Sequence, residues 1–241
     1  MIYFELVPKD LEELVKEATQ ICTQFKAIQG INVPDIASLE IRSGEATAKL
    51  LKNKIEAIPH IVCKDKSVEM VLAEIAKLMN LGLQSVLILS GDQTTQRISS
   101  NYINKVKAAY PQLKVYAALD PYRQSIKAEL DYCEEKIAAG ADGFFTQPFF
   151  YEELAEIYLE QLSGKTKVFL GICPVITESA LHYWRTKNNS IFPQGFQTTM
   201  DYNAVLAQKL LALAAEHKQH SYLMPIMVDG VKYLQEINLI P

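Results

Sequence analysis

The chain has 241 residues, 49% of them hydrophobic and 22% charged, with a net charge of −4. That length suffices to bury a full core, and mild acidity without a basic stretch argues against a nucleic-acid partner. No apolar run approaches the ~20 residues of a membrane span, and Glu5 inside the first apolar run is at odds with a secretory leader, so a cytoplasmic protein with no membrane partner is expected. Cys22, Cys63, Cys133 and Cys173 are far apart, with no CxxC pair and no His/Cys cluster. They read as reduced, buried thiols rather than a disulfide framework or a structural zinc site.

Ile2–Leu6 reads as a strand ended near Pro8. Asp10 then caps a helix whose apolar positions Leu11, Leu14, Val15, Ala18, Cys22 and Phe25 share one face. Gly30 is expected to stop that helix and Ile31–Val33 to form a second strand. Ile36–Ile41 is ambiguous, and Ser43 is expected to cap a helix reaching about Lys52. Ile55–Val62 is a third strand, and Ser67 opens a helix ended by Gly82. Ser85–Leu89 (SVLIL) is apolar almost throughout, as in a parallel sheet buried on both faces.

The polar turn Ser90-Gly91-Asp92 leads to a helix ending near Tyr110. Leu113–Leu119 is the fifth strand, followed by Asp120-Pro121 and a helix with Ile126, Leu130, Cys133 and Ile137 on one side. GADGFFTQPFF, from Gly140 to Phe150, reads as a turn and a short apolar strand. Gln147 lies at its tip, since Pro148 cannot keep donating to a ladder. A helix from about Tyr151, a strand over Val168–Ile172 and a helix ending near Trp184 follow. Asn188–Thr199 has loop chemistry, and Asp201 is expected to cap a long helix reaching about Lys218. Tyr222–Met224 is the last strand and Val231–Ile237 the last helix. Alternation of roughly eight strands with helices, without a composition break, predicts an α/β chain folded as one (β/α)8 TIM barrel over residues 1–241. An open doubly wound sheet is the competing fold, weakened by the lack of a GxGxxG after the first strand.

In such barrels reactive groups sit at the C-terminal ends of the strands. The polar residues there are Glu5, Asp35, His60, Asp92, Asp120 and Gln147. Glu5 lies between Phe4 and Leu6, and a carboxylate in an apolar wall is costly unless it is used or paired. Partial burial would raise its pKa and suit it to general-acid work near neutral pH. The other reading is an outward-facing residue of a short strand. His60 reads equally as a core histidine or a cofactor contact, and Asp92 as a site residue or a helix cap. Asp120 before Pro121 reads as structural. Gln147 either holds a flat heterocycle against the neighbouring phenylalanines or merely ends the strand.

Taken in order, these residues resemble the methylenetetrahydrofolate reductase family. The matching pieces are Phe4-Glu5 with Pro8-Lys9, Pro59-His60 with Cys63, and Leu89 with Gly91-Asp92. They continue through Ala139-Gly140-Ala141, Thr146-Gln147 and Phe149-Phe150, and end at Gly171-Ile172 with Pro174. The resemblance implies a flavin-dependent barrel that reduces 5,10-methylenetetrahydrofolate with NAD(P)H. It implies Glu5 as the general acid, Asp92 as a catalytic residue tuning flavin and pterin, and Gln147 and Phe149 as folate contacts. His60, Gly91, Asp92 and Ala118 would line FAD, and Glu129 and Lys136 would meet its ribose and phosphate end; no metal is implied. The implied partners are folate and NAD(P)H, with a homo-oligomer or a partner subunit left open.

The sequence departs from the family pattern in four places. Val7 replaces the first of two prolines, and Asn32-Val33-Pro34-Asp35 stands where a Ser-Val-Thr segment is usual. Ser90 takes the place of an arginine, and the turn at Leu119-Asp120-Pro121 is short. These changes fall on flavin contacts and leave open a non-catalytic folate-binding or scaffolding barrel. A metal-dependent barrel using Glu5, His60, Asp92 and Asp120 around Mg²⁺ or Mn²⁺ is a further alternative, although no HxH or paired-carboxylate spacing supports it.

Overall fold

The computed structural model describes residues 1–91 and 98–239. Its strands are β1 (Ile2–Glu5), β2 (Ile28–Val33), β3 (Ala57–Val62), β4 (Ser85–Leu89), β5 (Lys114–Leu119), β6 (Gly143–Pro148), β7 (Lys167–Ile172) and β8 (His220–Leu223). All pair in parallel in sequence order, and β8 closes on β1 to complete the barrel. The helices are α1 (Leu11–Gln24), α2 (Ser43–Lys52), α3 (Val68–Met79), α4 (Ser99–Ala109), α5 (Ile126–Ala138), α6 (Glu152–Leu162), α7 (Glu178–Lys187), α8 (Met200–Glu216) and α9 (Gly230–Glu236). The fold is thus the (β/α)8 barrel that the alternation predicts, with two helices between β7 and β8.

Strand alternation divides β1 between two cores. Phe4 faces outward, where a Cβ on Gly230 of α9 would come within 3.0 Å of its ring. Tyr3 faces the barrel axis, edge-on to Phe145 and Phe169, whose rings stack 4.2 Å apart. Tyr116 meets the same two rings edge-on from β5. The interior is therefore plugged by aromatic side chains in the offset and T-shaped arrangements that ring quadrupoles favour. Anything that binds must do so above this plug, toward the C-terminal strand ends.

Several local expectations are corrected. Gly30 lies inside β2 and does not stop α1, which ends when the Phe25 N–H donates to Ile21 O. Glycine is needed at position 30 because a Cβ would lie 3.0 Å from both Tyr3 and the Glu56 carbonyl. Ser43 is the first helical residue of α2, with Arg42 as its N-cap. Its hydroxyl instead donates to Val33 O at 2.7 Å and accepts from the His60 N–H at 3.0 Å, tying α2 to β2 and β3. Thr199 rather than Asp201 caps α8, accepting from the Tyr202 N–H. Strand β6 runs through Gln147 to Pro148, because the β6–β7 register shifts after Phe145.

The Asn188–Thr199 segment contains no helix or strand. It is pinned by Asn203, whose amide donates to the carbonyls of Val175, Gln197 and Thr199. Phe192 stacks on Phe150, and Trp184 packs edge-on against the same ring. These contacts explain the aromatic richness of that region by packing.

At the β6–β7 irregularity the backbones approach very closely. A Cβ on Gly171 would sit 2.5 Å from Thr146 O, 2.8 Å from Gln147 O and 2.7 Å from the Met224 methyl. Two of these neighbours are backbone and cannot move aside. Gly171→Ala should therefore lower the free energy of unfolding by about 1–3 kcal/mol, read as a shifted midpoint in urea with an unchanged slope.

Candidate active site

The C-terminal end of β1 carries Glu5, which the ladder places beside Asn32 of β2. Tyr222 of β8 lies opposite Tyr3 and so shares the inward face with Glu5. The Tyr222 hydroxyl donates to Glu5 Oε2. On the neighbouring strand, Asn32 Nδ2 lies 3.3 Å from His60 Nε2 on β3. Four strands, β8, β1, β2 and β3, thereby deliver one continuous polar cluster above the aromatic plug. Tyr222 itself stands edge-on to Phe145 at 5.1 Å, so the cluster rests directly on that plug.

The electrostatics follow from this setting. Desolvation pushes the Glu5 carboxyl up to about 7, against the hydrogen bond from Tyr222, which stabilises the anion. Burial pushes His60 down to about 3, so its imidazole is neutral. With Asn32 Nδ2 donating to Nε2, the His60 proton belongs on Nδ1. Burial and the adjacent Glu5 raise Tyr222 well above the ordinary phenol range. The Oδ1 atom of Asn32 is fully buried and has no hydrogen-bond partner among the described residues. Such an atom is costly unless a donor reaches it.

A cavity of about 520 Å³ opens beside Glu5, between the end of β1, the first turns of α1 and residues 225–228 after β8. Its walls mix Leu6, Val7, Leu14 and Ile226 with Lys9 and several carboxylates. This combination of a large concavity and a carboxyl of raised pKa is the usual mark of an active site.

The other candidate residues are placed as follows. Gln147, half-exposed, lies at the C-terminal end of β6; its carbonyl accepts from Thr146 Oγ1, which in turn accepts from the Gly171 N–H. Phe149 is buried against Tyr158 of α6. Gly91 follows β4 with φ +103°, and a Cβ there would lie 3.0 Å from both Val62 and Lys64. Asp92 lies outside the described residues. Asp35 is ion-paired with Arg42 at 2.8 Å. Asp120, raised to about 6 chiefly by burial, accepts from the Tyr122 N–H as a structural turn residue would.

Glu129 and Lys136 form a separate buried group. Each is 2% exposed, and their charged atoms are 3.7 Å apart on α5. Lys136 Nζ donates to the Ala118 carbonyl at 2.6 Å and lies 4.0 Å over the Tyr132 ring. Glu129 accepts from the Asp120 N–H and from Gln124. Both charges are thus directed at each other and at β5. Among the described residues no three His, Cys, Asp or Glu side chains are grouped to hold a metal ion. Nor, among them, is any helix long and apolar enough to cross a membrane.

Aromatic rings plug this (β/α)8 barrel, and at the end of β1 stands an acid whose pKa is raised toward neutrality. Residues 4–221 match the family model for methylenetetrahydrofolate reductase. The chain belongs to the methylenetetrahydrofolate reductase family. It is similar to Methylenetetrahydrofolate reductase 2 of Saccharomyces cerevisiae, at 21% identity over 78% of this chain and 37% of the yeast protein. The chain therefore spans little more than a third of that relative. Among solved structures it is similar to 2,3-dimethylmalate lyase, a member of the PEP mutase/isocitrate lyase superfamily. That similarity has a TM-score of 0.63 at 12% identity, over 98% of this chain and 78% of the lyase, and speaks to the fold alone.

Tyr222 and Asn32 are the site residues that sequence reasoning did not assign. A signal was present for Tyr222, because strand pairing of the first and last strands sets it across from β1. For Asn32 the only signal was its position at the tip of β2.

Two outcomes follow from these environments. A carboxyl whose folded pKa is above its unfolded value stabilises fully below the unfolded pKa, and that stability is lost as pH rises through the folded value. Wild type should therefore lose stability relative to Glu5→Gln between about pH 4.5 and pH 7, seen as diverging melting temperatures across a pH series. Lys136→Met should cost about 3–5 kcal/mol by stranding Glu129, and Glu129→Gln added to it should recover part of that loss in urea denaturation.

Proposed function

We propose that this chain reduces the methylene bridge of 5,10-methylenetetrahydrofolate to the methyl group of 5-methyltetrahydrofolate, with NAD(P)H as electron donor and FAD as cofactor. Family membership supports the reaction class. The observation that carries the reading is Glu5, a carboxyl inside an apolar barrel mouth whose pKa near 7 keeps it half-protonated at neutral pH.

The residues of the mouth fit a flat, hydrogen-bonding ring. Asn32 Oδ1 is buried without a partner among the described residues and needs a donor, neutral His60 stands next to it, and Gly91 and Ala118 lie at or near the ends of the adjacent strands β4 and β5. His60, Gly91 and Ala118 would hold the ring system, with Asp92 assigned by resemblance. When bound, FAD supplies the two-electron chemistry that no side chain can perform.

The chain's own work is acid catalysis and positioning. Gln147 would orient the pterin from β6. Glu5 gives its proton to a nitrogen of the five-membered ring, the C–N bond breaks, and the methylene carbon is left as an iminium. That carbon then accepts a hydride, which completes the methyl group, while the proton from Glu5 stays on the ring nitrogen released when the C–N bond broke. The aromatic plug below and the apolar wall of Leu6, Val7 and Ile226 keep water from the iminium carbon.

A second reading, a folate-binding barrel without flavin, is favoured by one observation. Glu129 and Lys136 neutralise each other behind β5 instead of presenting charge to a cofactor's phosphates. The visible spectrum decides between them. A yellow protein, or one that becomes yellow on FAD titration, with folate-dependent NAD(P)H oxidation supports the reductase. A protein that binds folate but stays colourless after FAD addition supports the second reading. In the reductase, Glu5→Gln should lower folate reduction by roughly 10²–10⁴-fold while leaving NAD(P)H oxidation with a quinone acceptor intact.

A further inference from the structure

We infer that Tyr222 is a positioning residue for Glu5, fixing the carboxyl's orientation and its readiness to give up a proton through a single hydrogen bond across the barrel seam. The inference rests on the reading of Glu5 as the acid and adds the residue that controls it. Its basis is geometric. Tyr222 OH donates to Glu5 Oε2. The Tyr222 ring is itself held by edge contact with Phe145. At 3% exposure Tyr222 is buried.

Every element packed around Glu5 contributes identifiable groups. From β2 and β3 come Asn32 and the neutral His60. From just after β7 comes Cys173, whose thiol is pushed up by burial and, to a lesser degree, by Glu5. From α1 and the turn before it, Lys9, Asp10, Glu13 and Glu17 line the same cavity, with Asp229 acting on Glu17 from the start of α9. Among these described groups, Tyr222 is the one that opposes the effect of burial on Glu5 by a side-chain hydrogen bond. Donation to a carboxylate stabilises the anion, so losing it favours the protonated form.

The test labels glutamate side-chain carboxyl carbons with ¹³C, assigns Glu5 by its loss in Glu5→Gln, and titrates the intact protein by NMR. Tyr222→Phe should move the Glu5 midpoint upward by roughly one to two pH units. The alkaline limb of folate reduction should move with it, at unchanged KM for NAD(P)H. Site-specific 3-fluorotyrosine at position 222 keeps the shape and makes the phenol a stronger donor, so it should move the midpoint downward; it decides the matter if Tyr222→Phe does not fold. Midpoints within a few tenths of wild type in the folded variants would overturn the inference, even if the enzyme reduces folate. Opposite shifts in a protein that never reduces folate would uphold Tyr222's control of Glu5 and discard the proposed reaction.

Discussion

The structure depends on keeping one carboxyl in a place where carboxylates are costly. Glu5 is surrounded by the aromatic plug, the β1 backbone and an apolar wall, and one phenolic hydroxyl faces it. Burial drives the group toward neutrality and the hydrogen bond drives it toward charge. Burial outweighs the hydrogen bond, so the carboxyl's pKa is raised from the ordinary carboxylate range toward neutrality.

The barrel serves this balance by dividing labour along each strand. Residues at one parity, such as Phe4, secure the helices, while Tyr3, Phe145, Phe169 and Tyr116 fill the axis. In the plug Phe145 and Phe169 stack face to face and the tyrosines meet them edge-on. Polar side chains can then be stationed just above it without solvent beneath them. The Glu129–Lys136 pair shows the opposite use of charge: buried, mutually satisfied and bonded to β5, it fastens a helix to the sheet. Family pattern assigns these two residues to a cofactor, whereas their contacts in this chain are those of a structural clamp.

Much of this was legible in the sequence. The alternation of apolar strands with amphipathic helices specifies a barrel, and Glu5 in an apolar run announces a strained carboxyl. Local chemistry was less reliable where tertiary contact decided the outcome. Ser43 looks like a cap and serves as a bridge to β2 and β3. Gly30 looks like a helix stop and is a slot for Tyr3. Asp201 looks like a cap, and Thr199, two residues earlier, takes that part. Tyr222 and Asn32 escaped notice because their importance lies in pairings between distant strands, which no window of sequence contains.

That distance has a biosynthetic consequence. The donor and acceptor of the Glu5 hydrogen bond are separated by 217 positions, on the first and the last strand. A nascent chain emerging from the ribosome thus carries a glutamate without this partner until β8 has been made. The poised acid comes into being only when the ring is sealed, so an incomplete or wrongly closed chain lacks it.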